Sequence, residues 1–266
     1  MRAVGLHCVF EAPLDAHIDQ VADLFVDQRW PWVPDQLRLG RVPGMHSERP
    51  TKARGGRANV RAALAAADVA EVGAICSQRE RENHGWLYLQ TGRHRVPGAA
   101  YPFDMRAFCR AKLLPEGTSI DAWIPVLHGL IEAVGAVHGV VVVDEEAIVH
   151  DEIALIVTAN DGTRVNPRWA EVDRISGSGA ARHGLGGQFI RHPRWGTYLR
   201  PEHVAAVGGR ERIETVVQPA EIREVGSLLY VQMTASPETA TSPESVARQR
   251  AFADLASEIL VPARSS

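Results

Sequence analysis

The chain is poor in the residue patterns that most often announce chemistry. Its three cysteines, Cys8, Cys76 and Cys109, are odd in number and far apart, with no CxxC pair. That excludes a disulfide framework and a zinc ribbon, and it points to a reducing compartment. All three fall in apolar, strand-like runs, where a cysteine is a small core residue rather than an exposed thiolate nucleophile. There is no GxSxG elbow for a serine nucleophile and no HExxH for a metalloprotease. Long apolar runs are missing as well. The longest, 134–143, contains His138 and is about half of what a membrane span needs. Acidic Glu11 and Asp15 come too early for the apolar segment of a signal peptide. These features describe a cytoplasmic protein outside the membrane.

A basic excess is also lacking. The formal net charge is −3 and the isoelectric point is near 6.4, against the profile of a general nucleic-acid binder. Aromatic residues are only 6% of the chain. The one basic cluster, Arg49, Lys52, Arg54, Arg57 and Arg61, has none interleaved with it, so no stacking platform for single strands is present.

What is there is ordinary core-forming sequence, 45% hydrophobic and 23% charged, enough for one sizeable core. Residues 3–10 are apolar throughout and read as a buried strand. Leu14, Ile18, Val21, Leu24 and Phe25 form the stripe of a helix whose other side carries Asp15, Asp19, Asp23 and Asp27. Residues 30–56, broken by four prolines after Trp30, read as one long irregular connection. An alanine-rich helix over 57–67 precedes a hairpin of strands 69–76 and 86–91. A strand over 103–113 follows. Ser119 caps a helix over 120–134, and Pro125 in its second turn requires a late start or a bend. Strand 137–143, a helix over 147–157 and a glycine-rich loop over 160–187 come next. The chain continues with a short strand at 188–191, an aromatic corner at Trp195–Tyr198, and a helix over 201–217 interrupted at Gly208-Gly209. A hairpin of strands 221–225 and 228–233 and a closing helix over 245–260 complete it.

Strands so few and so often hairpin-linked fit an α+β domain over residues 1–266, a mainly antiparallel sheet with helices packed on it. Both halves, 1–96 and 97–266, end on a helix followed by a hairpin, which suggests two similar halves sharing one core.

Candidate sites are weighed by spacing. Eleven histidines include the close pairs His128/His138, His138/His150, His183/His192 and His192/His203. None has the short ligand spacing of a zinc site, and no metal or cofactor is expected. The glycine run 176–187 lacks the preceding strand and following helix of a phosphate loop and reads as a connector. Asp144, Glu145, Glu146, Asp151 and Glu152 have two readings: carboxylates favouring the positive end of a helix, or a face for a basic partner. With no catalytic set assembled, the chain is expected not to be an enzyme. The alternative is a hydrolase or transferase whose histidines and carboxylates meet only in the fold.

The runs HPRWGTYLRPEHVAAVGGRERIETVV and EIREVGSLLYVQMT resemble the immunity proteins of bacterial polymorphic-toxin and type VI secretion systems, above all the immunity protein 52 family. The shared features are an aromatic-Gly-aromatic corner, a helix with a Gly-Gly break, a hairpin and a last helix. SIDAWIPVLHGLIEAVGAVHGVVV is similar to that family's middle helix. Trp30 and Trp32 stand where it carries a tryptophan-containing loop before an alanine-rich helix. The resemblance implies a cytoplasmic α+β protein that binds and neutralises a cognate toxin, often a nuclease. The partner-binding residues would then be the five carboxylates from Asp144 to Glu152 together with Trp30 and Trp32.

Overall fold

The apolar octet AVGLHCVF has no polar alternation, and a strand of that kind needs cover on both faces. In the computed structural model it is strand β1 (Ala3–Phe10), held between two antiparallel neighbours, β6 (Phe103–Arg110) and β7 (Ala136–Val143). The structure describes residues 3–12, 14, 17–26, 36–40, 51–52, 57–77, 83–91, 103–110, 119–143, 157–158, 164–165, 187 and 189–260.

Among the described residues a ten-stranded sheet runs around this centre, and each of its pairings is antiparallel. On the β6 side lie β5 (Asn83–Gln90), β4 (Glu71–Ser77), β2 (Gln36–Gly40) and β3 (Thr51–Lys52) in that order. On the β7 side lie β10 (Gly196–Leu199), β12 (Leu228–Gln232) and β11 (Glu221–Val225), which forms the edge. A separate two-stranded sheet joins β8 (Val157–Thr158) to β9 (Arg164–Val165). One hydrophobic core spans the arrangement, from Val72 and Leu87 to Tyr230 and Phe252. The fold is α+β.

Since β6 and β7 flank β1, the link between them crosses over a strand of the chain's beginning. Within the described part of that link a 3-10 turn (Ile120–Trp123) comes first, and its cap Ser119 accepts a hydrogen bond from the Asp121 N–H at 3.2 Å. The α-helix proper, α3 (Ile124–Ala133), starts late, with Pro125 in its first turn where a missing N–H costs nothing. Helices α1 (Ile18–Val26) and α2 (Arg57–Ala65) pack against each other, and α1 packs on α3. Arg61 on α2 meets Asp19 on α1 at 2.7 Å, so that member of the basic cluster is spent on the neighbouring helix.

Four expectations from the sequence need correction. The connection over 30–56 contains β2 and β3; QLRLG is too short for period-two alternation to stand out. Where a strand was expected over 188–191, the described residues 189–191 form no strand, and Ile190 makes an isolated parallel bridge to Leu260. The strand there is the corner itself: Gly196–Leu199 enters the sheet as β10, between β7 and β12. The closing helix, α6 (Pro243–Leu255), is capped by Ser242 and gives way to a 3-10 turn at Ser257–Ile259. The helix expected over 147–157 lies outside the described residues, apart from Val157 in β8.

The interrupted helix resolves as expected into α4 (Pro201–Ala206) and α5 (Arg210–Val217). Gly208 and Gly209 between them have φ of 90° and 93°, where a side chain would be strained.

Candidate functional site

Strand alternation divides the middle of the sheet into two polar clusters. On β1 and β7 the residues His7 and His138 point to the face away from α3, whereas Cys8 and Gly139 point toward it. His138 is completely buried. Its Nδ1–H donates to the Tyr198 carbonyl at 2.7 Å, and its Nε2 accepts from the Arg191 backbone N–H at 3.0 Å. Both nitrogens are used by the backbone, one as donor and one as acceptor, which fixes the neutral tautomer. Burial holds its pKa well below the usual histidine value, and His203 and Arg191 push the same way.

Arg191 extends this cluster by donating from Nη2 to Nε2 of His7 at 2.9 Å. His203, on α4, lies edge-on to the His138 ring with centroids 5.9 Å apart. It donates from Nε2 to the Gly187 carbonyl at 2.9 Å, and Arg200 donates to the same carbonyl at 3.3 Å. Burial lowers the His203 pKa too.

The second cluster lies on the α3 face. Tyr198 of β10 and Tyr230 of β12 are register partners with ring centroids 4.7 Å apart. Above them stands His128 of α3, edge-on to both rings, its Nδ1 2.9 Å from the Tyr198 hydroxyl. Tyr230 donates to Gln232 Oε1 at 3.0 Å, and Arg223 of β11 sits 5.9 Å from the Tyr230 centroid. The His128 pKa falls to about 4, first through burial and then through Arg223. Burial likewise raises the Tyr198 hydroxyl well above its ordinary value.

Burial keeps His128, His138 and His203 neutral near neutral pH. A histidine poised as a general base needs a pKa near the working pH and an orienting partner. His128, His138 and His203 are all pushed toward the neutral form, and none of their hydrogen bonds goes to a carboxylate. Among the described residues no group of three His, Cys, Asp or Glu side chains could hold a metal ion.

Of the histidine pairs weighed from spacing, His150 and His183 lie outside the described residues. The contacts that matter, His138 with His203 and His7 with Arg191, join residues far apart in sequence, where spacing carries no signal. The corner Trp195–Tyr198 did carry one. Trp195 is fully buried and donates from Nε1 to Thr234 Oγ1 at 2.9 Å. The residues expected to meet a partner, Asp144, Glu145, Glu146, Asp151, Glu152, Trp30 and Trp32, all lie outside the described residues.

No family model matches the chain, and no characterised protein matches its sequence. In fold, the chain is similar to a solved structure: the Pseudomonas aeruginosa T6SS protein PA0821 superposes with a TM-score of 0.66, covering 98% of this chain and 74% of the other at 12% identity. The likeness is one of fold. It extends over both ends of the ten-stranded sheet, so it is not confined to the C-terminal runs that carry the sequence resemblance. Among the described residues no helix is long and apolar enough to cross a membrane.

Proposed function

We propose that the protein is an immunity protein of a type VI secretion system, acting in the cytoplasm by binding a cognate toxin, a nuclease being the class that fits best. The observation that carries this reading is the fold likeness over 98% of the chain to a protein of such a system. The sequence resemblance to immunity proteins in the corner, the broken helix and the hairpin supports it independently. So does the use of the buried histidines, which are committed to backbone groups and aromatic packing rather than to a catalytic set.

The mild net negative charge of −3 suits a partner whose cleft is basic because it handles polyanions. In this reading the carboxylates Asp144, Glu145, Glu146, Asp151 and Glu152 supply the acidic face, and Trp30 and Trp32 are further partner-binding residues.

The test is co-expression in a bacterial host with the secreted protein encoded next to it. Growth should be restored and the two should co-purify; continued killing in the presence of soluble chain would refute the proposal. Binding kinetics then locate the surface. Glu145→Lys with Glu152→Lys should slow association at low salt, and the effect should fade as the screening length falls below about 10 Å. Wild-type kinetics at low salt would remove these carboxylates from the interface.

A further inference from the structure

Among the described residues strand β11 ends the sheet, and its register makes that edge self-complementary. The β11–β12 hairpin turns through Gly226-Ser227, with φ of 58° at Gly226, the two-residue turn that has glycine first. A two-residue turn closes on a hydrogen-bonded pair, here Val225 with Leu228, so the bonded pairs recur at Arg223/Tyr230 and Glu221/Gln232. The backbone groups of Ile222 and Glu224 therefore point away from the sheet. Arg210 of α5 confirms the direction, since its Nη2 donates to the Ile222 carbonyl at 3.3 Å from outside.

Glu221 and Arg223 share one face of the strand and pair with each other at 3.1 Å, with side chains 41% and 44% exposed. We infer that β11 pairs antiparallel with β11 of a second copy of this chain about a two-fold axis at Ile222, joining two sheets into one.

The charge pattern selects that register. Centred on Ile222, the pairing sets Glu221 opposite Arg223 of the other copy, twice by symmetry, while the two Ile222 residues exchange a pair of hydrogen bonds. Centred on Arg223 it would oppose two arginines, and centred on Glu224 two glutamates. Like charges directly opposite destabilise a strand pair, whereas unlike charges stabilise it. Short charged edges also discourage promiscuous pairing. The edge thus favours the Ile222 register over those centred on Arg223 and Glu224.

Arg210 sets the strength. Its guanidinium, held by Glu214 at 2.8 Å, occupies the Ile222 carbonyl that the second copy needs. With so short a strand, the dimer belongs to the weak, small-interface class.

The experiment is sedimentation velocity of the full chain from about 10 µM to about 1 mM, the range of a weak interface, with amide exchange at both ends. Wild type should pass from monomer to dimer, with the Ile222 amide slowed at high concentration. Glu221→Arg should weaken the dimer by about tenfold, from two unlike pairs becoming two like pairs. Adding Arg223→Glu to it should bring the constant back to near wild type, since the swap restores both the internal and the intermolecular pairs. Arg210→Ala should tighten it. A monomer throughout the range would overturn the proposal. So would a dimer indifferent to Glu221→Arg alone, or one that leaves the Ile222 amide unprotected. An unchanged thermal midpoint of the Glu221→Arg monomer at low concentration separates the loss of pairing from misfolding.

Discussion

His128 offers the most direct test of how the core is built. It is 7% exposed, wedged between α3 and the Tyr198/Tyr230 pair, with a pKa lowered to about 4. In the unfolded chain the same ring titrates near 6.5. Between these values the unfolded state binds the proton that the folded state refuses. The contribution is therefore complete above pH 6.5 and lost as the pH falls toward 4. At 1.36 kcal/mol per unit, acidification from pH 7 to pH 5 should remove about 2 kcal/mol through this residue alone. His138 and His203 add to the same slope, so the wild-type loss alone cannot isolate His128. His128→Asn can: its amide replaces Nδ1 beside the Tyr198 hydroxyl, and it has no proton to take up. Urea unfolding of both proteins at pH 7 and pH 5 gives the comparison. The asparagine variant should lose about 2 kcal/mol less than wild type between the two pH values. An equal loss in both would mean that His128 protonates freely in the folded protein, and the account of its packing would be wrong.

Three further substitutions test the frame. Trp195→Ala removes a fully buried ring and leaves Thr234 without its indole donor; it should cost about 3–5 kcal/mol, seen as a lower thermal midpoint, and an unchanged midpoint would refute the burial. At Gly139 an added Cβ would lie 2.9 Å from the Cys8 Cβ and 3.0 Å from Ile131 Cδ1, so Gly139→Ala should destabilise by about 1–3 kcal/mol in denaturant unfolding. Gly209→Ala meets no neighbouring atom within 4 Å, yet φ of 93° with ψ of 169° is glycine territory, and a loss of about 1–3 kcal/mol is expected from backbone strain alone.

Much of the fold could be read from local pattern, for reasons that are themselves local. The apolar octet of β1, the β4–β5 and β11–β12 hairpins, the late start of α3 at Pro125 and the break at Gly208-Gly209 all depend on residues within a turn or two of one another. Hydrophobic period, caps and turn glycines act at that range, and the antiparallel α+β class followed from them. β2 and β10 were missed because a strand of four or five residues is stabilised by the neighbours that flank it rather than by its own pattern. Gly-Thr-Tyr-Leu is a strand because β7 and β12 bond it from both sides.

Only the tertiary structure decided what the polar residues do. The sequence placed eleven histidines along the chain, and nothing in their spacing distinguished His138 from the rest. Packing β7 between β1 and β10 brought its ring under the Tyr198 carbonyl and the Arg191 amide, removed it from water and made it a neutral strut. Order along the sheet is likewise a tertiary matter. The sequence determined that Glu221 and Arg223 would alternate with Ile222, as it determined the hairpin they belong to. That β11 lies at the edge, with these charges at an open flank, follows from β10 taking the inner side of β12, a choice made by contacts between strands remote in sequence.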